Sequence, residues 1–230
     1  MPNAGNLREE VFLQYPFSKD HPLVIGVVDS LPKVRRVAWV AFEKPADLIG
    51  SLTPGRSGIG QDGPARGFDL YASGDEMIGR IKKLSPVKHS NKLFGELIAL
   101  KLNIAGSTLE KMPLGFGELR YVDAGSRFDG KLVKEIAAMA DTFMTYQDTA
   151  AIGNADELYA VVRRIDSAFT GPIDTLGFLS KLRFTGVRPI AEVPFLVRDP
   201  AVAVERRVSA QVEEFPDAFT LRQNYPNPFN

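Results

Sequence analysis

Six residues, Gly58-Ile59-Gly60-Gln61-Asp62-Gly63, carry the glycine spacing of a dinucleotide-binding turn. That chemistry needs a strand before the turn and a helix after it, whose N-terminal N–H groups receive the pyrophosphate. Here Pro54-Gly55 precedes the segment and Pro64-Ala65-Arg66-Gly67 follows it. Both flanks read as loop, so the spacing predicts a loop and no nucleotide. The Gly-Lys-Ser/Thr end of a P-loop is missing, and Gly55-Arg56-Ser57-Gly58 falls one residue short of a nucleophile elbow.

Histidine chemistry has little to draw on. His21 and His89 both lie close to loop prolines. A metal site takes three or four ligands, which carboxylates would have to complete. A Ser/His/Asp triad would have to be built from the same two loop histidines. The reading is no metal, no cofactor and no catalytic residue. Among the acids, Glu96 stands out as the only one within the apolar pattern of 92–104. It is expected to pair with Lys92 across one helical turn. If buried instead, its pKa would rise. No two acids stand out as a glycosidase pair.

The aromatics are the remaining candidates. Trp39, Phe42, Phe68 and Tyr71 fall in the β-patterned half and could line a surface for carbohydrate or protein. The competing reading is that they fill the core of a half-buried sheet.

The elements that must position these residues follow from hydropathy. Leu23 to Val28 and Val34 to Glu43 read as strands, ended by proline-containing turns. Glu10 to Tyr15 is a shorter strand candidate. Phe68 to Tyr71 and Met77 to Leu84 could form a hairpin through Ser73-Gly74-Asp75. From 90 to 170 the period changes to helical. Leu93, Leu97, Leu100 and Ile104 form one stripe, capped by Ser90 or Asn91 and ended or kinked at Gly106. A second helix, capped by Asp129, presents Leu132, Ile136, Met139, Ala140 and Phe143. A third, capped by Asn154, presents Leu158, Val161, Val162, Ile165 and Phe169. Lys181 to Thr185 offers one more strand.

The expected class is therefore α+β over 5–200: a β-rich N-terminal part packed with three amphipathic helices, with a potential split near 88. Pairing of 68–84 with 181–185 would mark a single unit. Residues 201–217 read as an extended linker.

The 230 residues hold 28 Lys+Arg and 28 Asp+Glu, so the chain lacks the basic surplus of a general nucleic-acid binder. With no cysteine, disulfides and thiolate chemistry are excluded. No run approaches the ~18 apolar residues of a membrane helix. Residues 1–10 have neither the basic nor the apolar region of a secretory leader.

One segment does carry a specific signal. In 219–230, Leu221, Gln223, Asn224, Tyr225, Pro226, Asn227, Pro228, Phe229 and Asn230 stand in a fixed order. The two prolines hold Tyr225 and Asn227 extended. This stretch resembles the opening of the C-terminal sorting domain of the type IX (Por) secretion system of Bacteroidetes and related phyla. The resemblance implies a secreted or cell-surface protein of a Gram-negative bacterium. Its partners would be the secretion machinery and upstream domains of the same chain, and 218–230 would be the truncated start of a sorting domain.

A second, looser resemblance spans 90–197. Leu93-Phe94-Gly95-Glu96-Leu97, Gly115-Phe116-Gly117-Glu118-Leu119 and Phe184-Thr185-Gly186-Val187-Arg188-Pro189 are similar to an uncharacterised region of large secreted bacterial proteins. Together these imply a non-catalytic C-terminal region with a structural or binding role. The alternatives are a carboxylate-based extracellular hydrolase fragment and an aromatic-faced binding module.

Overall fold

The computed structural model describes residue 11 and residues 19–53, 60–109, 114–169, 173–176, 181–184 and 189–198. The fold is α+β. Apart from Val11, the expected strand 10–15 lies outside the described residues, as do the linker 201–217 and the sorting-type segment.

Three short strands form the first sheet, in the order β1 (Leu23–Ile25), β2 (Ala38–Phe42), β3 (Gly79–Ile81). All five residues of β2 are buried, as expected for an apolar strand covered on both faces. β1 runs antiparallel to it, with Leu23 opposite Phe42 and Ile25 opposite Val40. β3 runs parallel to it, with Ala38 opposite Gly79 and Val40 opposite Ile81.

Two strand expectations are corrected here. The stretch 34–43 is not one strand: Pro32–Arg35 forms a single helical turn, α1, with proline at its start and Arg36 left-handed (φ 56°) at its end. The expected hairpin of 68–71 with 77–84 shrinks to one bridge, Leu70 to Glu76, because 79–81 is recruited by β2 instead. The short helix α2 (Pro45–Leu52) lies between β2 and β3 in the chain.

Three longer helices follow. α3 (Lys92–Thr108) carries the predicted stripe and continues through Gly106. Leu93, Phe94, Leu97, Ile98, Leu100 and Leu102 are all buried, which makes it the centre of the core. α4 (Val133–Tyr146) starts later than predicted. Asp129 does not cap it; that carboxylate accepts from the Asp123 N–H (2.8 Å), while Glu135 reaches back to the Leu132 N–H (2.8 Å). α5 (Ala155–Asp166) is capped by Asn154, as predicted, through the Glu157 N–H (2.8 Å). Beyond these, β4 (Leu119–Tyr121) pairs with a later strand, β7 (Leu196–Arg198), and β5 (Ile173–Leu176) with β6 (Lys181–Phe184). The pairing of 181–185 with 68–84 that would have marked a single unit is not seen; Lys181–Phe184 pairs with β5 instead.

One apolar cluster still crosses residue 88. It joins Leu23, Phe42 and Phe68 to Leu93, Phe94 and Leu97, and continues to Ile136 and Leu158. Polar contacts support the junction of α4 with the sheet. Thr145 Oγ1 accepts from the Val27 N–H (2.8 Å) and donates to the Ala38 carbonyl (3.1 Å). The Phe68 N–H donates to the Met144 carbonyl (2.7 Å).

Candidate functional site

The described part of the glycine segment docks on the start of α3. The Ser90 hydroxyl donates to the Gly60 carbonyl (2.9 Å) and accepts from the Gly63 N–H (2.9 Å). Gln61 Oε1 accepts from the Asn91 N–H (2.8 Å). A Cβ on Gly63 would lie 2.3 Å from the Ser90 carbonyl oxygen, so glycine here serves close backbone approach.

A helix leaves its first four N–H groups unpaired, and these are what a phosphate would use. In α3 all four are taken. Asn91, the cap itself, donates to Gln61 Oε1 (2.8 Å), and Lys92 donates to the Gly63 carbonyl (3.0 Å). Leu93 and Phe94 donate to Asn91 Oδ1 (3.1 and 3.3 Å). The chain itself fills the place where a dinucleotide would bind.

His89 belongs to the same polar hub. It is fully buried, with Nδ1 3.1 Å from the Leu70 carbonyl and Nε2 3.2 Å from Asn91 Nδ2. Leu70 can only accept and the Asn91 amide nitrogen can only donate, and these two contacts favour the proton on Nδ1 with Nε2 accepting, against the Arg66 guanidinium, a donor that also lies 3.1 Å from Nδ1. This is a neutral ring, and burial holds its pKa below the ordinary value. Asn91 Nδ2 also donates to the Arg66 carbonyl (2.7 Å), and Arg66 pairs with Asp69 (2.8 Å). His21 is exposed. Among the described residues, no three acidic or histidine side chains converge to hold a metal ion.

The aromatic surface is corrected. Trp39 is 7% exposed, and Phe42 and Phe68 are fully buried. Phe68 meets Phe94 edge-on at 5.5 Å between centroids, and Phe42 lies 6.4 Å from Phe94. Area burial dominates the energetics of such rings, so an apolar β segment beside α3 draws them inward. Tyr71 alone of the four borders open space. It lines a cleft of about 400 Å³ with Ala72, Ser73, Asp75, Val87 and Lys88. The Ser73 hydroxyl donates to Asp75 (2.8 Å), and partial burial raises the Tyr71 phenol pKa.

The carboxylates depart most from expectation. Lys92 does not pair with Glu96; its ammonium sits on Asp156 (2.6 Å) and over the Tyr159 ring (4.6 Å). Among the described residues Glu96 has no hydrogen-bond or ion-pair partner, and burial raises its pKa, offset in part by the Arg163 charge. Near the end of α5, Asp166 accepts from Asn103 Nδ2 (3.2 Å) through Oδ1, while Oδ2 is shielded from solvent and has no partner. Burial, reinforced by the Glu96 charge, pushes the Asp166 pKa well above the ordinary carboxylate range, against the Asn103 bond.

A half-buried pair went unread in the sequence. Asp141 on α4 accepts from Lys101 on α3 and from the Gly26 N–H (2.7 Å). Each residue falls at an ordinary polar position of its own helix pattern, so no local signal marks the partnership.

No protein-family model, no curated protein and no solved structure matches this chain.

Proposed function

We propose that this chain is a non-catalytic region of a larger secreted or cell-surface bacterial protein, with a structural or binding role ahead of a type IX sorting signal. The observation that carries the reading is the ordered series Leu221, Gln223, Asn224, Tyr225, Pro226, Asn227, Pro228, Phe229, Asn230. The described side chains are in keeping with a scaffold. His89, Asn91, Ser51, Ser90 and Gln61 spend their hydrogen bonds on closing loops over α2 and α3. The partners under this reading are the export machinery and upstream domains of the same chain. The test is export of a reporter carrying the natural coding region from residue 201 onward in a type IX-competent bacterium. Export should need 219–230; equal export after deletion of that segment removes the reading.

Within that role, the Tyr71 cleft favours binding over pure scaffolding. Its lining combines the Tyr71 phenol, the Asp75 carboxylate and the Lys88 ammonium with the apolar Ala72 and Val87, a mixture suited to a small polyol or a peptide side chain. Glycan and peptide arrays probed with wild type and Tyr71→Ala would read this out. Signal lost in the variant supports binding at the cleft, and equal signal moves binding elsewhere.

A further inference from the structure

α3 and α5 run in the same direction. Lys92, at the start of α3, meets Asp156 at the start of α5, and Asn103 meets Asp166 near their ends. Asp166 lies at the second of these contacts, and the charge of Glu96, two turns before Asn103 on α3, raises its pKa. Among the described residues neither has a counter-ion within ion-pair distance, and the cations nearby explain why.

α3 carries two cations. Lys92 is held by Asp156, and Lys101 by Asp141. α5 carries two more. Arg163 donates to the Tyr159 hydroxyl (2.9 Å), and Arg164 to Asp123 (2.7 Å) and Tyr121 (3.0 Å). On the neighbouring α4, Lys134 is paired with Glu118 (2.7 Å), and Glu135 and Asp141 are already bonded. Glu157 lies on the first turn of α5, at the far end from Asp166. Arg163 faces Glu96 only at a distance.

A carboxylate with one oxygen cut off from water and unpaired cannot keep its charge cheaply. The alternative is to keep its proton. We propose that Glu96, Asn103 and Asp166 form a proton-operated joint between α3 and α5. The joint is closed when Asp166 holds its proton, and loss of that proton as pH rises loosens the C-terminal end of α5. The sign follows from linkage. A carboxyl that holds its proton more tightly folded than unfolded contributes stability that is complete below the unfolded pKa. That contribution is lost as pH rises through the folded pKa. Glu96 tightens the device, because its negative charge makes ionisation of Asp166 harder.

The experiment is thermal unfolding of the full chain from pH 4 to pH 9, for wild type, Asp166→Asn and Glu96→Gln. The Tm of wild type should fall relative to Asp166→Asn by several degrees across that range. Glu96→Gln should narrow the fall. A wild-type minus Asp166→Asn difference that stays constant with pH overturns the proposal. Should Asp166→Asn not fold, hydrogen exchange of wild type decides. Corrected for intrinsic rate, protection of the Ile165 to Ser167 amides should drop with pH relative to amides of α4, and a constant ratio overturns the joint.

Discussion

Lys101 on α3 and Asp141 on α4 form an ion pair inside the molecule, and the same carboxylate holds the Gly26 N–H at the end of β1. Two helices and the sheet thus meet on one side chain. Burial raises the Asp141 pKa, against the pull of Lys101. Side-chain exposures of 20% and 13% place the pair beneath the solvent-screened layer in which surface ion pairs lie. Replacing Lys101 with Met leaves a buried charge alone and should cost about 3–5 kcal/mol. Urea unfolding gives the number; a loss under about 1 kcal/mol would place the pair in the surface class.

Asn91 is the second point of concentration. Its side chain closes α3 and also holds Arg66 and His89. Asn91→Ala removes a cap and strands a buried carbonyl and a ring nitrogen, so a loss of about 2 kcal/mol or more is expected. Asn91→Asp keeps the cap oxygen and should lose less. Denaturation midpoints rank the two, and hydrogen exchange at Leu93 and Phe94 should report the change locally.

His89 gives an acid-side signature opposite in sign to that of Asp166. Burial lowers its folded pKa, so its contribution is complete above the unfolded value and falls away as pH drops toward the folded value. Nitrogen NMR of the ring through a pH titration should show Nδ1–H and bare Nε2 persisting below pH 6.5, the ordinary value. A ring that protonates there in the folded protein would contradict the hydrogen-bond assignment.

Two glycines separate backbone strain from crowding. Gly26 and Gly74 both have positive φ, +95° and +90°. A Cβ on Gly26 would lie 2.5 Å from Thr145 Oγ1, whereas one on Gly74 meets nothing within 4 Å. Gly74→Ala should therefore cost about 1 kcal/mol of backbone strain alone. Gly26→Ala should cost clearly more, since Thr145 also braces Val27 and Ala38. Comparing the two Tm values tests this, and equal losses would mean that the crowding is relieved without cost.

The helical half was legible because its information is local. The stripe of α3 and the Asn91 and Asn154 caps are written within single turns. The β half was not, because β3 joins β2 through a parallel pairing 41 positions apart, from Ala38 to Gly79, and no local pattern encodes a partner. The same reason hid the site chemistry. Glu96 lies four positions from Lys92, yet Lys92 is won by Asp156 and Tyr159 on another helix. Trp39, Phe42 and Phe68 have the same composition whether they face water or α3, and only the packing of Phe94 against two of them decides it.

The common direction of α3 and α5 bears on the order in which the molecule can be assembled. Neighbouring helices that point the same way cannot be joined by a tight turn; the chain must first travel back, here through β4 and α4. In a polypeptide that emerges N-terminus first, α3 is complete while the helix that will cover its flank is still unmade. Its apolar stripe stays partly bare for that interval, which is when a holdase has its clearest purchase on the chain.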